Sequence, residues 1–171
     1  MKKSNIAICA LLAITCAAPA HAFVDFYVGM TAGVGGAVAD NHSYSSNSYG
    51  AMLGIDIPLI RVEAEYNYFH GSKSGRGLHA HTGMLNGYLK APIPIVSPYI
   101  GGGVGQIFSG EFANADMNST TAYQAMLGLQ VHVPATPLYI DVETRALYAN
   151  NIAPGASLAQ WDGRLKLRYQ F

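Results

Sequence analysis

Charged residues are scarce in this chain of 171 residues. Asp, Glu, Lys and Arg make up 12% of it, about half the usual fraction, whereas 50% of the residues are apolar. Acidic and basic residues are ten each and form no basic cluster, so nucleic acid is not an expected partner. A composition so poor in charge suits a protein whose outer surface is solvated by lipid.

Cysteine is limited to Cys9 and Cys16, which both lie within residues 1–22. This stretch has a positive start, a short apolar core and a small-x-small site at Ala20-His21-Ala22, which predicts a cleaved secretory signal peptide. A lipoprotein signal ending at Cys16 is the alternative, and the residues before Cys16 fit it poorly. The mature domain, residues 23–171, would then have no disulfide or thiol chemistry.

Apolar segments that could form membrane helices are also lacking. Residues 91–110 and 122–140 are uncharged and long enough, but the first window holds three prolines and five glycines. The second is broken by Pro134 and Pro137, so neither window can stay helical. If the chain spans a bilayer, strands must do it, and only a closed barrel satisfies every backbone group in lipid.

What the chain does have is strict alternation of apolar and polar residues. Residues 160–171 read Q-W-D-G-R-L-K-L-R-Y-Q-F, so one face of a strand would be apolar and the other would carry four charges. The last apolar positions of this strand are Leu165, Leu167, Tyr169 and Phe171. A membrane barrel explains the pattern, because lipid bathes one face while the other lines a polar interior.

The same alternation divides the mature chain into eight strands, each close to the ~9–11 residues that a tilted membrane strand needs. They are predicted at residues 24–34, 49–57, 60–69, 79–90, 98–108, 121–133, 138–148 and 160–171. The faces of the glycine-rich fifth strand cannot be assigned from the pattern. Three connections are short and carry proline; the four longer polar ones carry residues 41–47, 72–77, 111–119 and 150–157.

Short periplasmic turns that alternate with longer extracellular loops are typical of outer-membrane barrels. We therefore predict an all-β fold, an eight-stranded antiparallel up-and-down transmembrane β-barrel. A soluble lipocalin-like barrel, with its apolar face inward, is the alternative. The narrow and sign-balanced charged face favours the membrane form, because the apolar faces are too extensive for one small core.

The charges on the inward faces must find partners, since buried charges survive only when they are paired and hydrogen-bonded. The interior of an eight-stranded barrel is just wide enough for side chains to fill, which disfavours a general diffusion pore. Asp56 and Arg61 are expected to be neighbours across the first short turn. We predict an ion-pair network that fills the lumen and consists of Asp56, Arg61, Glu63, Glu65, Lys90, Asp141, Glu143, Arg145, Arg164, Lys166 and Arg168.

Two further expectations concern the partners within this network. A hairpin register centred near Pro154 places Asp141 beside Arg168 and Glu143 beside Lys166.

Glu63 and Glu65 have no basic neighbour on their own hairpin beyond Lys90. They are therefore expected to reach across the lumen toward Arg145 or Arg164.

Three histidines decide whether an enzyme or a metal site is plausible. His70, His79 and His81 lie around the connection between the third and fourth strands, with serines nearby. A Ser–His pair needs an acid that orients the imidazole, and no carboxylate lies in this connection, so neither catalysis nor a cofactor is expected. Histidines without a carboxylate or cysteine form a weak zinc site, so solvated rim residues are the preferred interpretation.

Two motifs resemble those of known outer-membrane proteins. Pro98-Tyr99-Ile100-Gly101-Gly102-Gly103-Val104-Gly105 is similar to the P-Y-x-G-x-G-x-G strand of opacity-type, porin-family surface antigens. Val62-Glu63-Ala64-Glu65-Tyr66 resembles their acidic third strand. The mature chain as a whole resembles the small eight-stranded barrels of the OmpA-transmembrane, OmpX and Opa type. Its last strand resembles the insertion signal that the barrel-assembly machinery reads, with Leu165, Leu167, Tyr169 and Phe171 at the signal positions.

This resemblance implies an integral protein of the bacterial outer membrane, with a structural or surface-interaction role in adhesion or envelope integrity. Its implied partners are outer-membrane lipid, the assembly machinery and a host or surface ligand bound by the extracellular loops, of which residues 41–49 are the longest polar run. A narrow channel or small-ligand barrel is the alternative, followed by a lipid A-modifying enzyme. The sequence leaves the ligand, the conductance and the oligomeric state open.

Overall fold

A computed structural model describes residues 24–39, 42–73, 76–112, 115–116, 119–153 and 156–171 of the chain. These residues form nine strands and no helix, and none of them belongs to a helix long and apolar enough to cross a membrane. The strands are β1 (Asp25–Ala39), β2 (His42–Asp56), β3 (Ile60–Lys73), β4 (Arg76–Lys90), β5 (Val96–Phe112), β6 (Ala115–Asp116), β7 (Thr120–His132), β8 (Leu138–Ala153) and β9 (Ala156–Gln170). The predicted signal peptide lies outside the described residues.

The sheet closes on itself. Each long strand pairs antiparallel with its neighbours, and β1 pairs with β9 from Tyr27↔Gln170 to Ala39↔Leu158. The two-residue β6 only extends the end of β5, so the barrel wall consists of eight strands. This confirms the prediction of a closed eight-stranded antiparallel barrel.

The three short turns lie where the sequence predicts them, at residues 57–59, 91–95 and 133–137. In the first turn Ile57 and Ile60 exchange backbone hydrogen bonds of 2.8 and 3.2 Å. The other two turns each contain a residue with positive φ, Ile95 at 73° and Ala135 at 62°. All three turns lie at the same end of the barrel, which we call the turn end.

The predicted long polar loops are wrong in extent. β2 already begins at His42, β3 continues to Lys73, β5 to Phe112 and β8 to Ala153. The reason is that backbone groups, and not apolar side chains, hold a strand in its sheet. The Ser- and Asn-rich start of β2 pairs in full with β1, from Ala39↔His42 onward. Residues 40–41, 74–75, 113–114, 117–118 and 154–155 lie outside the described part of the chain.

The outer surface of the barrel is apolar. Met30, Val34, Leu53 and Trp161 all point outward, with 62–68% of their surface exposed. This is the reverse of a lipocalin-like barrel, so the alternative with its apolar face inward is wrong. Exposed apolar surface on this scale marks contact with lipid or with another protein.

The interior changes character along the barrel axis. On β3, Arg61, Glu63 and Glu65 point inward near the turn end, and Phe69 points inward further along the same strand. The buried apolar residues at the end opposite the turns form one cluster, which we call the apolar plug. It consists of Ala37, Phe69, Ala80, Met84, Ile107, Ala122, Leu147, Ala149, Ile152 and Leu158.

The two faces of β5 are now assigned. Its outward residues include Ile100, Val104 and Phe108, whereas Gly101, Gly103 and Gly105 lie on the inner face beside side chains of β4. A Cβ atom at Gly103 would lie 3.1 Å from the Cγ atoms of both Asn86 and Gln124. Glycine on this face therefore leaves room for the side chains that fill the lumen.

Candidate functional site

The charged side chains between the turn end and the apolar plug form a single cluster, which we call the charge network. In the described part of the chain it contains six acidic and six basic residues, each with an ion-pair partner, and all are buried except half-buried Lys90. The acidic members are Asp56, Glu63, Glu65, Asp141, Glu143 and Asp162, and the basic members are Arg61, Lys90, Arg145, Arg164, Lys166 and Arg168. The network therefore has no formal net charge.

The β8–β9 hairpin brings Asp141 and Arg168 together. Arg168 donates from Nε and Nη2 to the two carboxylate oxygens of Asp141, each at 3.0 Å. Lys166 Nζ lies 3.2 Å from Glu143 Oε2. Such bidentate, charge-assisted bonds are the stronger class of hydrogen bond.

The backbone register expected for this hairpin is wrong by two residues over most of its length. Asp141 is opposite Lys166, and not opposite Arg168. The hairpin tip pairs Ala153 with Ala156, as expected. An irregularity between Ala149 and Ala153 shifts the register by two residues between this point and the turn end. Long Arg and Lys side chains reach their diagonal neighbours, so the ion pairs tolerate this shift.

Glu63 and Glu65 cross the lumen to β9. Glu65 Oε1 lies 2.5 Å from Arg164 Nη1, and Arg164 also pairs with Glu143. Glu63 Oε1 lies 3.0 Å from Lys166 Nζ, a partner that the sequence interpretation did not assign to it. These contacts connect β3 with the far wall of the barrel.

Arg145 has a partner that sequence reasoning missed. Its Nη2 and Nε atoms donate to the carboxylate of Asp162 at 2.6 and 2.9 Å. The signal was present in the charge count, because the predicted network had five acids and six bases. Asp162 lies on the same face of the last strand as Arg164 and supplies the missing negative charge.

At the turn end the expected neighbours are adjacent but have other partners. Asp56 lies opposite Arg61 in the register, yet Arg61 Nη1 donates to Asp141 Oδ2 at 2.9 Å. Asp56 pairs with Lys90 and, at 3.4 Å, with Arg168.

The Arg61 guanidinium also lies over the rings of Tyr88 and Tyr99, 4.1 and 4.7 Å from their centroids. These cation–π contacts stabilise a charge whose Nε and Nη2 atoms have no hydrogen-bond partner.

Buried phenols complete the coordination of the carboxylates, and the sequence interpretation did not single them out. Tyr27 and Tyr88 each donate to Glu63 at 2.8 Å, and Tyr99 donates to Glu143 at 2.9 Å. A carboxylate accepts several hydrogen bonds, so these donors occupy sites that an ion pair leaves open. The sequence feature that could have revealed these phenols is a large aromatic residue on the otherwise polar face of a strand.

Buried amide side chains add further hydrogen bonds to the charge network. The hydrogen bonds join Asn86 to Glu63 and Glu65, Gln124 to Asn86, and Arg61 to Gln130. With its charges paired and its carboxylates hydrogen-bonded, the charge network is built to hold the barrel together and fill its lumen.

The three candidate histidines lie on the outer surface, far from the turn end. His70 on β3 is directly opposite His79 on β4, and His81 follows on the same face of β4. His81 Nδ1 lies 2.6 Å from Tyr66 Oη. In the part of the chain that the structure describes, no group of three or more His, Cys, Asp or Glu side chains is arranged to hold a metal ion.

The residues predicted as an assembly signal lie along the outer face at the end of β9. Leu165, Leu167 and Tyr169 are exposed, and the ring of Phe171 lies edge-on to Tyr169 at 5.1 Å. The Phe171 N–H donates to Phe26 O at 2.8 Å. Phe171 thereby continues the pairing of β9 with β1.

No family model and no curated protein matches the chain. Several solved structures share its fold. Neisserial surface protein A (NspA) has a TM-score of 0.70 at 17% identity, over 85% of this chain and 97% of that one. The outer membrane enzyme PagL has a TM-score of 0.62 at 14% identity, over 81% and 97%. The N-terminal β-barrel domain of Pseudomonas aeruginosa OprF has a TM-score of 0.56 at 13% identity, over 84% and 97%.

These neighbours are small outer-membrane β-barrels. At such low identity the likeness shows the fold alone, and it does not single out the OmpX or Opa type. One of the three is described as an enzyme and another as a surface protein, so the fold by itself does not define an activity.

Proposed function

We propose that the chain is an integral protein of the bacterial outer membrane, with a structural or surface-interaction role. In this proposal the signal peptide, residues 1–22, is removed, and the assembly machinery inserts the barrel through the signal that ends at Phe171. The barrel is a sealed anchor that holds a polar rim outside the membrane.

The observation that carries the proposal is the double closure of the lumen. The charge network fills the half near the turn end, and the apolar plug fills the other half. A protein that served as a pore would need a continuous wet path, whereas this interior is occupied by paired charges and then by apolar side chains. A closed barrel of this kind is suited to anchoring and to surface contact.

The outer surface supports a membrane position. The apolar band carries exposed aromatic residues toward both of its ends, where aromatic girdles form in outer-membrane barrels. Phe26 and Tyr169 lie toward the turn end, and Tyr49, Tyr123 and Trp161 lie toward the opposite end.

Beyond the apolar band the strands continue and their exposed residues become polar. We call Ser45, Asn47, His70, Asn150 and Ser157 the polar rim. Ser45, Asn47 and His70 belong to paired parts of β2 and β3 beside the packed apolar plug, so this part of the rim is a firm surface. A surface of this kind suits contact with a ligand or a neighbouring envelope component.

Single-cysteine labelling tests the orientation, and the mature chain suits it because both native cysteines lie in the leader. Ser157→Cys in the polar rim is expected to react with a membrane-impermeant maleimide on intact cells. Leu59→Cys in the first short turn should react only after the outer membrane is permeabilised. Leu127→Cys in the apolar band should stay unlabelled in both conditions.

Labelling of Leu59→Cys on intact cells, with Ser157→Cys protected, would reverse the topology and contradict the proposal. Equal labelling of all three variants on intact cells would mean that the barrel does not reside in the membrane.

Enzymatic modification of lipid A ranks below this role. PagL is described as an outer membrane enzyme, but its likeness to this chain extends only to the fold. His81 contacts the phenol of Tyr66, and this pair includes no nucleophile–base–acid arrangement. Lipid A mass spectra from cells with and without the protein are therefore expected to be identical, and a new acylation pattern would establish an enzyme instead.

A further inference from the structure

The pairing of β3 with β4 places three imidazoles on one small patch of the outer wall. His70 and His79 are direct cross-strand partners, and His81 lies two residues beyond His79 on the same face. Directly opposite residues have Cβ atoms about 4.5–5.5 Å apart, and diagonal neighbours about 7–8 Å. The three side chains thus start from the corners of a compact triangle.

The ring of His81 is already oriented. Its Nδ1 atom is 2.6 Å from Tyr66 Oη, and the ring packs 5.0 Å from Tyr68 and 6.4 Å from Phe108. Histidines that bind metals typically use the second ring nitrogen in this way, which fixes the tautomer and the ring plane. In the tautomer whose Nδ1–H donates to Tyr66 Oη, Nε2 is unprotonated and is the nitrogen that can bind a cation.

In the register of β4 with β5, Glu111 is the residue opposite His79. It is distant from the β3–β4 connection in sequence, so only the closed sheet places an acidic residue of β5 at this register position.

We propose that His70, His79 and His81 form a binding site for Zn²⁺ or a similar divalent transition-metal ion on the outer face of the barrel. Three neutral imidazoles are a ligand set suited to zinc, nickel or copper, and not to magnesium or calcium. In their present orientations the three side chains are not arranged to hold an ion. The site therefore requires exposed His70 and half-buried His79 to turn about their side-chain torsions, and His79 to exchange its present contact for the ion.

The position of the patch fits such a site. His70 is ten residues along β3 from Ile60, which at about 3.4 Å per residue and a tilt of about 40° corresponds to roughly 26 Å above the turn end. This height is close to the ~25 Å of the apolar band, so the ion would bind where the barrel wall leaves the lipid. The binding site itself does not depend on which side of the membrane this end faces.

Titration of the untagged, refolded protein in detergent micelles with zinc chloride tests the proposal. Isothermal titration calorimetry should give one ion per chain, and cobalt chloride should produce the visible absorption of a tetrahedral complex. His79→Gln should weaken zinc binding at least ~10-fold, and Tyr66→Phe should weaken it by about the ~10-fold typical of lost outer-shell hydrogen bonds.

Two substitutions serve as matched controls. His132→Gln removes a histidine that contacts Thr136 at the turn end, and Tyr49→Phe removes an exposed phenol on β2. Both should bind zinc as the wild type does. The altered gel mobility of unboiled protein verifies the fold of every variant.

The proposal fails if the folded wild type binds zinc no more tightly than a His70→Gln/His79→Gln/His81→Gln triple variant. It also fails if His132→Gln, rather than His79→Gln, removes the binding.

Discussion

Arg164 on β9 donates to Glu65 on β3 over 2.5 Å, although β1 and β2 separate their strands in the barrel wall. The contact crosses the lumen and joins two walls that share no backbone hydrogen bonds. Both side chains are fully buried. Because neither charge can reach water, removing one member would leave the other buried without a partner. The pair therefore stabilises the barrel only while both members are present.

A double-mutant cycle between Glu65 and Arg164 measures this relationship. Each alanine substitution alone should destabilise the fold by ~3–5 kcal/mol, because it leaves a buried charge without its partner. The coupling between the two substitutions should be ~0.5–3 kcal/mol. Urea unfolding in lipid vesicles, followed by the fluorescence of the single tryptophan, Trp161, provides the free energies.

Lys90 provides the control for this cycle. It pairs with Asp56 at the turn end, so substitutions of Glu65 and Lys90 should be additive within ~0.5 kcal/mol. Zero coupling for Glu65 with Arg164, or equal coupling with Lys90, would show that the cross-lumen pair has no specific role.

Adjacent glycines on β5 should respond oppositely to the same substitution. Gly103→Val places a side chain against Asn86 and Gln124, so overpacking should cost ~1–3 kcal/mol. At Gly102 the nearest atom to a new Cβ is Gln124 O at 3.9 Å, so Gly102→Val should leave the stability unchanged. The same unfolding assay checks both, and equal losses would mean that the inner and outer faces of β5 are misassigned.

The polar start of β2 should behave as paired strand. Amide hydrogen exchange from His42 to Tyr49 is expected to be slow, because β1 pairs with the whole segment. Mass spectrometry of peptides from the labelled protein gives the rates. Exchange as fast as that of an unfolded peptide would restore the loop that the sequence alone predicts.

The fold could be predicted because a barrel with an apolar outer face and a polar interior imposes a strong pattern on the sequence. On β3, outward Val62, Ala64 and Tyr66 alternate with inward glutamates, and no soluble core requires that order. The strand ends could not be predicted in the same way. Beyond the apolar band the exposed residues are polar and the inward residues belong to the apolar plug, so the pattern that marks the rest of each strand is lost.

The candidate site could be predicted in composition but only partly in its contacts. The inward charges follow from the pattern, whereas the partners of Glu63 and Arg61 depend on strand order around the closed wall. The bulge between Ala149 and Ala153 also has no signature in the residues around it. Asp162 and the buried phenols could have been identified only by counting the charges, and the hydrogen-bond acceptors of the carboxylates, over the whole lumen.

Deletion of Phe171 should reduce the amount of barrel in the outer membrane, because the residue completes the proposed assembly signal and pairs with Phe26. Immunoblots of membrane fractions should show loss of the deletion variant and its degradation in the periplasm. Phe26→Ala removes an exposed aromatic residue at the same end and keeps the signal, so its level should stay near that of the wild type. Normal levels of the deletion variant would exclude a role of Phe171 in assembly.

The sealed lumen is the central claim, and electrical recording tests it most directly. The purified wild-type protein is inserted into a planar lipid bilayer, and the current across it is measured at constant voltage. The charge network and the apolar plug predict no steady conductance above that of the bare bilayer. Large, steady single-channel steps from the wild type would show that the interior is a water-filled path, and would contradict the account.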